Sequence, residues 1–279
     1  MIIWLASYPK SGNTWVRLFL NQLLFKKDNH EFNINNINLR QFPLKYDFDG
    51  LSENINDPEE FVKNCIPSQE KINLSNKINF FKTHNALWKN KNFQFTDEEN
   101  TLGVIHIVRD PRNIITSLIN HYNFENYGRA LEFMKNPKQY IGLSGNQNNN
   151  DLITIISSWN NHYNSWKKFK KNNLLIRYED LILNTEDEFF NICKFINDIS
   201  NIKFETDNIK NSIQNCNFEN LKKIETTSGF VESTINNTGG RNKFFNLGPK
   251  NNWEKILKKE IVKELESYFF SEMKELNYL

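Results

Sequence analysis

Short apolar runs alternate with amphipathic stretches along most of the chain, and this order constrains the fold more than any other feature. A strand of a parallel sheet that is covered on both faces reads as such a run, and a helix usually connects it to the next strand. The predicted strands span residues 2–7, 78–83, 103–108 and 174–177, and the predicted helices span 15–25, 111–120, 151–171, 182–197 and 253–277. This order predicts an α/β fold with three layers, α/β/α, around a central parallel sheet.

The remaining segments carry weaker patterns. Residues 28–77 are polar and rich in asparagine, so we expect short helices and loops there, whereas 123–150 reads as an insertion and 226–252 as a loop. No internal repeat or linker divides the chain, and 279 residues suit one large α/β domain better than two. We therefore expect a single domain over residues 1–279.

Charge and cysteine content narrow the classes of function. The 35 basic and 33 acidic residues give a net charge of +2, which disfavours a general nucleic-acid or membrane-surface binder. Cys65, Cys193 and Cys216 form no CxxC pair, so neither a disulfide framework nor a metal site is indicated. No apolar run reaches the roughly 20 residues of a membrane anchor, and residues 2–6 are too few for a signal peptide. We expect a cytoplasmic protein without a nucleic-acid or membrane partner.

A loop suited to anion binding follows the first predicted strand, where residues 8–15 read YPKSGNTW. At a strand-to-helix junction, unpaired backbone N–H groups and the helix dipole favour an anion. Gly12 permits close approach of the backbone, Lys10 adds a charge, and Ser11 and Thr14 add hydroxyl donors. The motif predicts an anion cradle, and an ordinary capped turn is the alternative. It is not a Walker A loop, because GxxxxGK(S/T) does not occur in the chain.

A second candidate anion site follows the third predicted strand. Arg109 lies at the strand end, where α/β sheets bind ligands, and a guanidinium can hold a phosphate through two parallel hydrogen bonds. Asp110 and Pro111 suit the cap and first turn of the next helix, and Ser117 stands eight positions after Arg109. These residues predict a phosphate site, and a salt bridge beside a helix cap is the alternative.

A lysine and a histidine, Lys82 and His84, end the second predicted strand. A lone histidine is more often structural, but a histidine beside a lysine at a strand end suits general base chemistry, since its pKa lies near neutrality. We therefore predict that His84 is a general base. The other histidines lack this context, and His106 alternates with apolar residues as a core residue would.

The first motif resembles the 5′-phosphosulfate loop of the PAPS-dependent sulfotransferases, whose donor is 3′-phosphoadenosine-5′-phosphosulfate (PAPS). That family's loop reads YPKSGTTW, and this chain differs only at Asn13, whose amide can still donate a hydrogen bond. The resemblance implies that Lys10 contacts the bridging and sulfuryl oxygens and that Trp15 stacks on adenine. The donor-binding residues that it implies in this loop are Lys10, Ser11, Gly12, Asn13, Thr14 and Trp15.

The other two motifs resemble the same family and occur in the same order. The resemblance implies that Arg109 and Ser117 hold the 3′-phosphate of the donor, and that His84 is the catalytic base. Lys10 is then the cation that stabilises the leaving phosphate, and Lys82 is the cation that stabilises the moving sulfuryl group. It also implies that the three layers have a P-loop-like arrangement.

Weaker similarities extend toward the C-terminus. Tyr178, in a YED string, and Phe218 match in order the family residues that contact adenine. The string FFNLGPKNNW partly matches the family's C-terminal loop, FFRKGxxGDW, and keeps Gly248 with its backbone N–H. The basic pair of that loop is replaced here by Asn246-Leu247. Arg241, Lys243 or Lys250 could supply the missing cation from nearby, and Arg241 is the candidate we choose.

The activity implied by the resemblance is sulfuryl transfer from PAPS to a hydroxyl or amine of a small-molecule or carbohydrate acceptor. The product would be 3′-phosphoadenosine-5′-phosphate (PAP), and no metal is required. We expect the acceptor pocket within 30–75, 123–150 and 226–245, the segments least like the family. The alternatives are a metabolite kinase, which would need a Walker A loop, and a non-catalytic PAP-binding module. The oligomeric state stays open, because the family's dimerisation motif, KxxxTVxxxE, has no counterpart after residue 253.

Overall fold

Strands and helices alternate in the computed structural model, which describes residues 1–25, 32–142, 152–236 and 238–279. The strands in those ranges are β1 (Ile2–Ser7), β2 (Asn79–Thr83), β3 (Lys89–Asn90), β4 (Phe93–Gln94), β5 (Thr101–Val108), β6 (Tyr140–Ile141), β7 (Thr154–Ile155) and β8 (Asn173–Arg177). The helices are α1 (Asn13–Phe25), α2 (Pro58–Asn73), α3 (Pro111–Tyr122), α4 (Tyr127–Lys135), α5 (Trp159–Lys167), α6 (Tyr178–Leu183), α7 (Thr185–Ser200), α8 (Thr206–Asn215), α9 (Phe218–Ser228), α10 (Trp253–Ile256), α11 (Lys259–Tyr268) and α12 (Phe270–Glu275).

Four parallel strands form the central sheet, in the order β2-β1-β5-β8. The register places Ile3 of β1 beside Phe80 of β2 and beside Gly103 of β5. Because the strands are parallel, their carboxyl ends meet at one edge of the sheet. The three motifs follow β1, β2 and β5 directly, so the sheet brings all three to that edge. The predicted central parallel sheet is confirmed.

Alternate residues of β1 pack on opposite faces of the sheet, as the two-residue period of a strand requires. Leu5 belongs to an apolar cluster that contains Phe19 of α1 and several residues of α7. Trp4 points to the other face and belongs to a cluster that contains Trp166 of α5 and residues of α2. The indole nitrogen of Trp4 donates to Thr101 Oγ1 at 2.9 Å, so this buried polar atom is satisfied. Helices therefore cover both faces, and the predicted three layers are confirmed.

The predicted helix over 151–171 is wrong in its first half. The backbone N–H of Ile155 donates to Asn85 Oδ1 at 2.9 Å, and the Ile155 carbonyl accepts from Ala86, so this stretch pairs as an extended segment and includes β7. Ser157 has a φ of 61°, which a continuous helix cannot contain. Helix α5 begins only at Trp159, after the N-cap Ser158.

Other helix boundaries also differ from the prediction. The segment 28–77, expected to hold short helices, contains the 16-residue α2, which has an Asp57 N-cap and proline in its first turn. The predicted helix 182–197 is two helices, α6 and α7, which meet at Asn184. The predicted helix 253–277 is divided into α10, α11 and α12, and α3 continues to Tyr122. None of these differences moves the strand ends that carry the motifs.

Within the described ranges, every helix is too short or too polar to cross a bilayer.

Candidate functional site

A cavity of about 450 Å³ opens at the carboxyl ends of the central strands. The residues of the first loop that line it are Lys10, Gly12, Asn13, Thr14 and Trp15. The other predicted site residues that line it are Lys82, His84, Arg109, Ser117, Tyr178, Phe218 and Gly248. The three sequence motifs and the weaker C-terminal matches thus share one cavity.

Two predicted site residues do not line this cavity. Ser11 belongs to the loop but is completely buried, and its hydroxyl oxygen has no hydrogen-bond partner among the described residues. Arg241 is exposed, and its Nη1 donates to the Phe230 carbonyl at 3.2 Å. Its backbone pairs with Ile235 in an isolated antiparallel bridge. The role of Arg241 as a substitute for the missing basic pair stays a prediction.

The loop after β1 has a backbone that few residue types accept. Gly12 has a φ of 101°, and Lys10, although not a glycine, has a φ of 66°. Such left-handed conformations of non-glycine residues are strained and concentrate at functional sites. A Cβ on Gly12 would also overlap the Tyr178 ring, so only glycine fits there. The amide of Asn13 donates to Leu5 O at 2.9 Å and to Ser7 Oγ at 3.2 Å, which ties the loop to β1.

The charged form of Lys10 is destabilised by its surroundings in the protein. Its Nζ lies 3.9 Å from the centre of the Phe244 ring. Burial, followed by the charge of Arg109, lowers the pKa of Lys10 from its ordinary 10.5 to about 7. An anion bound at the loop would favour the protonated form and reverse this shift.

Arg109 connects the second motif to the first. Its Nη1 donates to the Lys10 carbonyl at 2.9 Å and to Ser117 Oγ at 3.4 Å, and the guanidinium carbon lies 4.2 Å from the centre of the Tyr178 ring. Its Nε is buried without a hydrogen-bond partner among the described residues, as is Nε1 of Trp15. Buried donors left unpaired in a cationic cavity fit an anionic ligand that carries acceptor oxygens.

His84 is held as a neutral imidazole. Its Nδ1 lies 2.7 Å from the carbonyl oxygen of Ser7, so Nδ1 carries the proton and Nε2 is left as the basic nitrogen. Burial, then the charge of Lys82, lowers the pKa of His84 well below its usual range. A neutral histidine with a fixed tautomer is the form that can accept a proton.

One part of the cavity is lined by aromatic rings. Trp15 meets Tyr178 edge to face, with ring centres 6.1 Å apart. Phe218 lies against Gly248, which has a φ of 52°, and a Cβ on that glycine would overlap the Phe218 ring. Flat apolar walls of this kind suit a planar ring system.

Sequence reasoning missed Glu232 and its ion-pair partner Arg17. Glu232 lines the cavity, accepts a hydrogen bond from Thr14 Oγ1 at 3.1 Å and forms an ion pair with Arg17 on α1. Burial would raise the pKa of Glu232, but the charges of Lys82 and Arg17 outweigh burial and hold it well below its usual range. The one available signal was a charged residue, Arg17, within the apolar stretch of α1.

Asn251 was also missed. It stands where the related family has the second glycine of its C-terminal loop. Its Nδ2 donates to Asn113 O at 3.0 Å and to Ser117 Oγ at 3.3 Å, and its Oδ1 accepts from Thr116. The loop is thereby attached to α3 behind the Arg109–Ser117 pair.

Among the described residues, no group of three or more histidine, cysteine, aspartate or glutamate side chains could hold a metal ion.

A model of the sulfotransferase domain matches residues 2–277. The chain belongs to the sulfotransferase family. It is 26% identical over 197 residues to Sulfotransferase 1B1 of Canis lupus familiaris, which is 69% of this chain and 57% of that protein. It is 25% identical over 178 residues to Sulfotransferase 2A1 of Macaca fascicularis, which is 62% of this chain and 57% of that protein. The match thus spans little more than half the length of these curated relatives.

Solved sulfotransferase structures share the fold. Mouse sulfotransferase SULT7A1 complexed with PAP has a TM-score of 0.60 at 18% identity, covering 97% of this chain and 83% of that one. Retinol dehydratase in complex with androsterone and inactive cofactor PAP has a TM-score of 0.59 at 18% identity, covering 98% and 80%. The predicted membership of the sulfotransferase family is confirmed, and so is the α/β fold with helices on both faces of a central parallel sheet.

Proposed function

We propose that this protein transfers a sulfuryl group from PAPS to a hydroxyl or amine of an acceptor. The observation that carries the proposal is that one cavity joins the loop of Lys10, the Arg109–Ser117 pair and a neutral His84. These are two anion-binding elements and a base, which sulfuryl transfer from a 3′,5′-substituted nucleotide requires together. The structural neighbours complexed with PAP support this choice of donor.

In this proposal the nucleotide spans the cavity from the loop to the aromatic end. The 5′-phosphosulfate lies at the loop, where backbone N–H groups, Lys10 and Thr14 face an anion. Arg109 and Ser117 hold the 3′-phosphate, and the unpaired Nε of Arg109 is a further donor for it. Adenine occupies the space lined by the rings of Trp15, Tyr178 and Phe218, and the backbone N–H of Gly248 faces the 3′-phosphate.

The reaction we propose is an in-line displacement at sulfur. The acceptor oxygen forms a bond to sulfur while the bond between sulfur and the 5′-phosphate oxygen breaks. The acceptor proton passes to Nε2 of His84, and negative charge develops on the leaving phosphate oxygen. Lys10 and the loop N–H groups stabilise that charge, and Lys82 stabilises the sulfuryl oxygens in transit. No chemical step in this scheme needs a metal.

We place the acceptor at the end of the cavity to which the three segments of the predicted acceptor pocket contribute residues. The contributing residues are Gln41, Ile141, Val231 and Phe244, and Tyr122 lies directly before the second segment. The parts of those segments at 30–31, 143–150 and 237 lie outside the described residues. A small-molecule acceptor is our preferred class, since androsterone and retinol accompany PAP in structural neighbours. A carbohydrate is the alternative acceptor. We also propose that the protein is located in the cytoplasm.

The test of the base uses His84→Ala. PAP formation from PAPS is measured over a panel of phenols, steroid alcohols, sugars and amines, and PAP affinity is measured by calorimetry. We expect His84→Ala to bind PAP as the wild type does, and to lose about 10²–10⁴-fold in turnover. Normal turnover by His84→Ala would show that the assigned base is wrong.

A non-catalytic PAP-binding module is the second candidate. The replacement of the basic pair by Asn246-Leu247 favours it, because one cationic contact of the family's loop is absent. This candidate predicts PAP binding by the wild type and no turnover with any acceptor class.

A further inference from the structure

Glu232 places a carboxylate against the loop that binds the donor in our proposal. Its Oε2 accepts from Thr14 Oγ1 at 3.1 Å, and its Oε1 pairs with Arg17 Nη2. Thr14 belongs to the first turn of α1, where N–H groups and the helix dipole favour an anion. The protein's own carboxylate therefore already uses one hydroxyl donor of the anion cradle.

The position of Glu232 is fixed by its neighbours in the chain. Ser233 Oγ donates to Glu225 Oε1 at 2.8 Å, and the same buried glutamate accepts from the backbone N–H groups of Phe244 and Phe245. Thr234 Oγ1 donates to the His121 carbonyl at 2.9 Å. The residues that flank Glu232 are thus attached to α9, α3 and the C-terminal loop, and the carboxylate is held beside Thr14.

Arg17 gives the carboxylate a buried partner. Only 4% of the Arg17 side chain is exposed, while a quarter of the Glu232 side chain remains open to the cavity. Nε of Arg17 has no hydrogen-bond partner among the described residues. An unpaired arginine buried here would itself attract a phosphate, so the ion pair masks a cation as well as occupying Thr14.

We infer that Glu232 competes with the 5′-phosphate of the nucleotide for Thr14 and thereby sets the affinity and selectivity of the site for that group. This inference rests on the proposed function. When the nucleotide binds, Thr14 passes its hydrogen bond from the carboxylate to the phosphate, and Glu232 keeps Arg17. Two negative groups then lie close together, which lowers nucleotide affinity. The effect is confined to the 5′ end, because Arg109 and Ser117 hold the other phosphate.

The test compares wild type with Glu232→Gln in calorimetric titrations with three nucleotides. PAP and adenosine 5′-phosphate carry a 5′-phosphate, whereas adenosine 3′-phosphate does not. Glutamine keeps an oxygen for Arg17, so the fold is preserved while the negative charge is removed. We expect Glu232→Gln to bind PAP and adenosine 5′-phosphate about tenfold more tightly and to bind adenosine 3′-phosphate within about twofold of wild type.

Two further variants control for charge and folding. Glu98→Gln removes one negative charge at an exposed residue outside the cavity, and we expect wild-type affinities from it. Arg17→Met with Glu232→Met replaces the ion pair by apolar side chains and serves if the single variant does not fold. We expect this double variant also to bind PAP more tightly than wild type.

The outcomes separate the inference from the proposed function. Equal or weaker binding of PAP by Glu232→Gln, beside wild-type protein that binds PAP, overturns the inference and leaves the proposed function standing. An equal gain for adenosine 3′-phosphate also overturns it, because the effect would then not be local to the 5′ end. Wild-type protein that does not prefer PAP to adenosine 5′-phosphate contradicts the proposed function instead.

Discussion

Raising the pH from 7 to 9 should weaken PAP binding, because Lys10 loses its proton. The pKa of Lys10 lies at about 7, lowered first by burial and then by Arg109. An adjacent phosphate favours the protonated form, so the pKa of Lys10 is higher in the complex than in the free protein. The complex therefore takes up a proton, and affinity falls as pH rises above 7.

The magnitude follows from the protonated fraction of free Lys10. That fraction is about one half at pH 7 and about 1% at pH 9, so PAP affinity should fall about 50-fold over this range if Lys10 stays protonated in the complex. The phosphates of PAP, whose second pKa is about 6, are dianionic throughout and do not contribute. His84 does not contribute either, because its lowered pKa keeps it neutral above pH 7.

Isothermal titration calorimetry measures both the affinity and the proton uptake. We expect the complex to take up about half a proton at pH 7. The binding enthalpies observed in HEPES and in Tris should therefore differ by about half the difference between the ionisation enthalpies of the two buffers. Lys10→Arg is the matched control, because a guanidinium stays protonated across this range and should give a flat profile. A wild-type dissociation constant that is the same at pH 7 and pH 9 would refute this reasoning.

Three further variants test other parts of the site. Gly248→Ala should weaken PAP binding at least about tenfold, because its Cβ would displace Phe218, whereas Gly50→Ala, with a similar φ of 75° and nothing within 4 Å, should leave PAP affinity unchanged. The free energy of unfolding of Lys10→Met should exceed that of wild type by about 1–2 kcal/mol at pH 7, which thermal unfolding would show as a higher midpoint. This gain should shrink toward pH 9, because the folded pKa of Lys10 is lowered and the wild type becomes more stable as pH rises above 7. Arg109→Lys keeps the charge but loses the forked contact, and should reduce the preference for PAP over adenosine 5′-phosphate about tenfold in calorimetry.

The central sheet and the positions of the motifs followed from the sequence because both depend on local signals. Each strand of the sheet is a short apolar run, and each motif begins where a run ends. Parallel pairing then brings Lys10, His84 and Arg109 to one edge without any further information. The chemistry of the three side chains could therefore be predicted before their distances were known.

The missed features depend on contacts between distant parts of the chain. Arg17 and Glu232 are separated by 215 positions, and nothing local marks Glu232 as a partner of Thr14. The segment before α5 has a helical pattern, yet its backbone pairs with Asn85 and Ala86, which directly follow His84. Arg241 is close to the missing basic pair in sequence, but its side chain donates to the carbonyl of Phe230 and does not line the cavity. In each case tertiary pairing outweighs the local pattern.

The central claim is that the cavity binds the nucleotide of a PAPS-dependent enzyme, and thermal unfolding in the presence of nucleotides tests it most directly. A ligand at 100 times its dissociation constant adds about 2.7 kcal/mol of stability, which is readily seen as a rise in the unfolding midpoint. We expect a larger rise with PAP than with adenosine 5′-phosphate or with ATP plus magnesium. A rise with ATP plus magnesium and none with PAP would contradict the account.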